Sequence, residues 1–338
     1  MSEEIDPSSF PETTDQNANT ADRLSATNQL IAHARGELGT VIAGQAAAIE
    51  EVLIAVLCQG HALLEGVPGI AKTLTVKTLS RLMRLGFQRV QCTSDLMPAD
   101  IVGTNILNLA TSSFQLHQGP VFTDLLLVDE VNRMPPRTQA ALLECMEEHQ
   151  VTIDGTGHQL SPFFTVFATQ NPVEFEGTYP LPEAQLDRFL LKLQVPYPAM
   201  QDEVQLLANV QNGFESRELD KMDLRPIDEG LLAQAQQELK TVKVEEALFG
   251  YIVQIARRTR DWPSLSLGAS PRAAVSLMAV SKATAAMDGR DYVIPDDVKA
   301  SARPVLRHRI ILRPEADLEG ITPDQVLADV LRAVEVPK

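Results

Sequence analysis

Lys72 and Thr73 close the stretch "GVPGIAKT", residues 66–73, and residue types in that order can cradle phosphate. A polyphosphate is densely negative, so it binds where backbone N–H groups converge at a helix N-terminus and an ammonium reaches past them. The pattern that does this is G-x-x-x-x-G-K-[ST], with the lysine on the β- and γ-phosphates and the hydroxyl on Mg²⁺. Gly66, Lys72 and Thr73 fit it, whereas the glycine expected before the lysine is Ala71. The helix is expected to start at about Ala71, at ordinary negative φ where a methyl is tolerated, leaving Gly66 and Gly69 to make the tight turn. The expected nucleotide-binding residues are Gly66, Val67, Pro68, Gly69, Ile70, Ala71, Lys72, Thr73 and Leu74. A Gly-Pro turn followed by an exposed lysine would give the same local sequence.

A second motif, "LLLVDE" at residues 125–130, is an apolar strand that ends in two adjacent acids. At such a strand end Asp129 can hold Mg²⁺ through water, with Thr73 as the other metal-side ligand, while Glu130 faces the γ-phosphate and activates water. An Asp-Glu pair after a strand can also be a helix cap. A third stretch, "TVFATQNP" at 165–172, ends another strand in Asn171, whose amide could hydrogen-bond the attacking water or a γ-phosphate oxygen. A turn residue before proline is the other reading of Asn171.

These groups need strands to carry them to one edge. Apolar runs at 61–64, 89–92, 125–129, 163–169 and 189–195, each followed by helix-like sequence, predict a mostly parallel buried sheet. Two hairpins interrupt it: 105–109 with 114–117, and 151–153 with 158–160 across "DGTG". Val195-Pro196-Tyr197-Pro198 stops regular structure, and a domain boundary is placed there. The chain thus divides into an acidic tail over 1–22, an α/β nucleotide-binding core over 23–198 and an all-α lid over 199–338. In the lid, helical periodicity runs through Ala247, Leu248, Tyr251, Ile252 and Ile255, then Ala274, Leu277 and Met278. Ser270-Pro271 and Ile294-Pro295-Asp296-Asp297 mark helix starts.

With 338 residues, 44% of them hydrophobic, the chain can bury a sizeable core. A formal net charge of -16 opposes a main role in holding nucleic acid, whose phosphates call for a basic surface. No run approaches the roughly 20 apolar residues of a membrane span. Residues 1–22 hold Glu3, Glu4, Asp6, Glu12, Asp15 and Asp22 without a Lys or Arg, unlike a secretory leader, and are expected to be disordered. Cys58, Cys92 and Cys145 are odd in number and widely spaced, as expected of buried thiols in a reducing, cytoplasmic compartment.

Taken together, the chain resembles the AAA+ ATPases, and more closely their MoxR family. The likeness covers roughly residues 38–315 and rests on "GVPGIAKT", "LLLVDEVNRMPPRTQAALLECMEE", "ATQNP", "EAQLDRF" and "GASPRA" in that order. Alanine before the loop lysine is also a MoxR trait. The resemblance implies a P-loop NTPase core with Lys72 and Thr73 as Walker A, Asp129 and Glu130 as Walker B, and Asn171 as sensor 1. It further implies Arg188 as arginine finger and Arg272 as sensor 2, with the hairpins as the helix-2 insert (103–121) and pre-sensor-1 hairpin (149–162). ATP and Mg²⁺ follow as cofactors, a hexameric ring as assembly, and a von Willebrand factor A domain protein as partner in chaperone-like remodelling, maturation or metal and cofactor insertion. From the residues alone, Arg188 could pair with Asp187 or Glu183, Arg272 could be a surface charge, and Arg133 is another interface candidate. Two rival functions are a nucleotide-gated scaffold with little turnover, opposed by Glu130 and Asn171, and a small-molecule kinase, opposed by the helical second domain.

Overall fold

The computed structural model describes residues 23–67, 69–171, 177–215, 219, 222 and 224–337. The expected tail at 1–22 and the loop residue Pro68 lie outside them. Five parallel strands form the central sheet: β1 (Ala62–Glu65), β2 (Phe87–Gln91), β5 (Leu125–Asp129), β8 (Thr165–Gln170) and β9 (Leu191–Gln194). Their spatial order is β2-β5-β8-β1-β9.

Alternation along the strands makes the two faces. Leu125 and Leu127 of β5 belong to one apolar cluster with Leu64 and Phe167, while Leu126 and Val128 belong to a second with Leu63, Val166 and Ala168. Side chains in a strand point to opposite faces with a period of two, and helices cover both, so β5 and most of β8 are buried throughout. That double covering is why these strands read as unbroken apolar runs. Helix α1 (Ser25–Val41) packs on α8 (Leu231–Thr241). There the Glu238 carboxylate accepts from the Ala26 N–H, the Thr27 N–H and Thr27 Oγ1, satisfying donors that every helix start leaves open.

Two hairpins stand off the sheet, β3 (Gly103–Asn108) with β4 (Ser113–Gln118) and β6 (Gln150–Ile153) with β7 (Thr156–Gln159). The second turns through two residues only, Asp154 and Gly155, both at positive φ, the geometry that suits the right-handed twist of paired strands. The four-residue turn expected over 154–157 is therefore corrected. Asn105 Nδ2 donates to Asp154 Oδ2 at 2.8 Å and ties the hairpins together. On the first of them Ile106, Leu109 and Phe114 are exposed.

Beyond residue 198 the chain is mainly helical, including α7 (Met200–Gln211), α9 (Glu246–Arg260), α10 (Pro271–Met287) and α11 (Pro295–Leu306). It is not all-α as expected: β10 (Leu265–Leu267) and β11 (Ile311–Leu312) pair antiparallel, and strands of three and two residues carry too little periodicity to be read from sequence. One apolar cluster is shared across the 196–198 prolines, joining Leu53, Leu64 and Leu193 to Leu277, Val305 and Val330.

Candidate nucleotide site

β1 delivers the chain to Gly66, and α3 (Lys72–Leu82) carries it away. Gly66 makes no left-handed turn; its need is close approach, since a Cβ there would lie 2.7 Å from the Val195 carbonyl oxygen. Gly69 does turn, at φ +87°. Ala71 departs from expectation, for it sits at φ 60°, ψ 16°, left-handed backbone that glycine adopts freely and alanine reaches only at a cost. The helix accordingly begins at Lys72, and the loop's final peptide is held in a strained conformation of the kind that clusters at functional sites. From behind, the buried Gln45 amide donates to the Ile70 carbonyl at 2.9 Å, and Lys72 Nζ folds onto the Gly66 carbonyl at 2.7 Å. Burial pulls the Lys72 ammonium below its ordinary range, against Asp129, Glu130 and Glu65, which hold it up.

The acidic pair stands at the end of β5. Asp129 continues the strand, whereas Glu130 turns left-handed at φ 59°, ψ 52°, and its N–H donates to Thr169 Oγ1 at 2.9 Å. That hydroxyl donates in turn to Asp129 Oδ1 at 3.1 Å, so β8 fixes the carboxylate that β5 presents. Asp129 Oδ2 accepts from Arg89 Nε at 2.6 Å, and Glu130 Oε2 lies 3.1 Å from Arg133 Nε.

A cleft of about 890 Å³ gathers these groups. Its lining includes Gly69, Ala71, Lys72, Thr73, Leu74, Asp129, Glu130 and Asn171, the last directly following β8. Gly66, Val67 and Ile70 shape the loop from outside that lining. Thr73 and Asp129 share the cleft, and the oxygen donors of a hydroxyl and a carboxylate suit Mg²⁺, which takes few protein ligands and completes its shell with phosphate and water. No cluster of three His, Cys, Asp or Glu side chains able to hold a metal occurs among the described residues.

Two of the expected residues stand elsewhere. Arg188 and Arg272 are absent from the described lining and converge on one carboxylate, with Arg188 Nη2 2.9 Å and Arg272 Nη1 3.2 Å from the two oxygens of Glu147. Arg188 is thus paired with neither Asp187 nor Glu183. Asp187 accepts instead from the buried Arg309 Nε at 2.6 Å and from Ser270 Oγ at 3.0 Å, and Arg309 Nη2 donates to the Phe189 carbonyl at 2.7 Å. The lid therefore clamps the segment that bears Arg188. Sequence reasoning missed Arg89, Thr169 and Arg309. Thr169 lay inside a quoted motif, but a single arginine within a strand or after a helix carries no signal of its partner.

Against known proteins, residues 61–191 match the family model of the ATPase family associated with various cellular activities (AAA), and residues 257–330 match an AAA lid domain. Chaperone MoxR1 of Mycobacterium tuberculosis is 39% identical over 94% of this chain and 85% of its own length. Protein MoxR of Paracoccus denitrificans is 31% identical over 86% of this chain and 91% of its own, and a Bacillus subtilis protein of uncharacterized function, YeaC, is 44% identical over 84% and 88%. The crystal structure of a candidate ATPase from Cytophaga hutchinsonii superposes with a TM-score of 0.86 at 41% identity, covering 95% of this chain and 99% of that one. With a matching core, a matching lid and relatives along nearly its whole length, the chain belongs to the MoxR family of AAA+ ATPases.

Proposed function

We propose that the protein hydrolyses ATP with Mg²⁺ and couples turnover to the remodelling, maturation or metal and cofactor loading of partner proteins. The observation that carries this reading is the single cleft into which the loop, the β5 acids and Asn171 all open. In it Lys72 leaves the Gly66 carbonyl for the β- and γ-phosphates, and backbone N–H groups at the start of α3 take the remaining charge. Thr73 and Asp129, which both line the cleft, would hold Mg²⁺, and that ion would neutralise charge on the phosphates. Glu130 takes or orients the proton of the attacking water, and Asn171 aligns that water.

Arg188 and Arg272, set together on Glu147, are assigned to a neighbouring subunit's nucleotide in a hexameric ring, where their charge would stabilise the transferring phosphoryl group. The relative named as a chaperone supports work on proteins, and a von Willebrand factor A domain protein fits as the partner class. A cytoplasmic location goes with this role; no helix among the described residues is long and apolar enough to cross a membrane. The test is steady-state phosphate release by the wild type and Glu130→Gln, with nucleotide binding followed in parallel. The amide keeps shape and removes the charge that handles water, so binding persists while release stops. Release near the wild-type rate from Glu130→Gln would remove the glutamate from its role.

A further inference from the structure

Arg89 occupies the carboxylate that a metal would need. Its Nε lies 2.6 Å from Asp129 Oδ2, and its Nη2 donates to Gln91 Oε1 at 3.1 Å. The parallel register of β2 on β5 sets Gln91 opposite Asp129 and Arg89 opposite Leu127, so Arg89, Gln91 and Asp129 share one side of the sheet. Arg89 and Gln91 both line the nucleotide cleft, together with Lys72, Thr73 and Glu130. The two partners differ in exposure: the Asp129 side chain is 10% exposed and that of Arg89 51%. The guanidinium half of the pair is open to water and free to change partner, whereas the nearly buried carboxylate must keep a cation beside it, a place that Mg²⁺ can fill. Phosphate, in contrast, matches the planar guanidinium fork and carries more charge than one carboxylate.

Building on the reading that the cleft takes Mg²⁺ and ATP, we propose that Arg89 is a triphosphate-sensing residue acting within its own subunit. It holds Asp129 in the nucleotide-free protein and transfers to the terminal phosphate of ATP once Asp129 is engaged with Mg²⁺. Three consequences follow from this exchange. Asp129 is kept oriented before nucleotide arrives, with Thr169 on its other oxygen. The acids at the end of β5 each keep a counter-charge before nucleotide binds, Asp129 from Arg89 and Glu130 from Arg133. And ADP, which lacks the terminal phosphate, gives Arg89 no reason to leave, so discrimination between ATP and ADP passes through this side chain.

The test is equilibrium binding of ADP and of a non-hydrolysable ATP analogue, at saturating Mg²⁺, to the full chain as wild type, Arg89→Ala and Arg89→Lys. Arg89→Ala is expected to weaken the analogue roughly tenfold and ADP less than twofold, as befits one charge-assisted contact made only by the triphosphate. Arg89→Lys, which keeps a point charge and loses the fork, should fall between. Equal weakening of both nucleotides would make Arg89 a structural tie between β2 and β5 and overturn the proposal, as would no change in either. Failure of the wild type to bind any nucleotide would overturn the functional reading itself, and this one with it.

Discussion

The nucleotide cleft and the Arg188–Arg272 pair are built in opposite ways. The cleft draws its groups from the C-terminal ends of neighbouring strands and from one loop, so the groups that would bind ATP and handle water come together within one chain. The arginine pair is assembled from a core segment and a lid helix, and what meets there is Glu147. Two guanidinium groups on one carboxylate leave a local surplus of positive charge, and Arg309 buried behind Asp187 keeps the segment in place. On the proposed reading the difference teaches that binding is the work of one subunit, while the arginines proposed to speed phosphoryl transfer stand outside the cleft lining.

The largest effect that could break this comparison is at Lys72. Lys72→Ala removes the side-chain cation of the loop from a cleft that also holds Asp129 and Glu130, and nucleotide titration is expected to show no binding. Retention of full affinity would mean that the cleft is not organised around the loop.

Arg188→Ala sharpens the comparison from the other side. Its own loop, acids and Asn171 are untouched, so ATP binding should be unchanged, while hydrolysis should fall about 10³-fold if the arginine stabilises transition-state charge. Mixing Arg188→Ala with Lys72→Ala pairs an intact loop on one subunit with an intact arginine on the other, and partial recovery of phosphate release is the expected result. Undiminished turnover by Arg188→Ala alone would transfer the role to Arg133.

The same division separates what sequence made legible from what it did not. Strands β1, β5 and β8 were readable because a strand covered on both faces is an apolar run, and the loop and acids were readable because each lies within a few residues of such a run. Ala71 was misread for a physical reason: left-handed backbone is uncommon for alanine, and only the surrounding loop, with Gln45 holding the Ile70 carbonyl, makes it stay. Arg89 on Asp129, and Arg188 with Arg272 on Glu147, join positions far apart in the chain. Neither spacing nor periodicity records such pairs. The MoxR resemblance supplied the two arginines as candidates but not the carboxylate that they share.

The smallest expected effect lies outside both regions, at Glu51 on α2 (Ala46–Leu57), which feels the charges of Arg307 and Asp324. Burial raises its carboxyl from 4.5 to about 7, with Asp324 adding to the rise and Arg307 opposing it. A carboxyl of raised folded value binds its proton more tightly in the folded chain than in the unfolded one, so its contribution is fully present below about pH 4.5 and is lost as pH climbs to about 7. Integrated across that window the loss is at most about 3 kcal/mol. Glu51→Gln keeps the shape and cannot ionise. Thermal unfolding of both proteins should therefore give similar midpoints near pH 4.5, a wild-type midpoint that falls as pH rises to 8, and a variant that is the more stable of the two at pH 8. Nucleotide affinity should be the same for both at either pH, since Glu51 is not part of the cleft lining. Parallel pH curves for the two proteins would show that Glu51 is ionised in the folded chain and paired with Arg307. A variant that lost ATP binding would show that the helix behind the loop, and not only the loop, sets the geometry of the cleft.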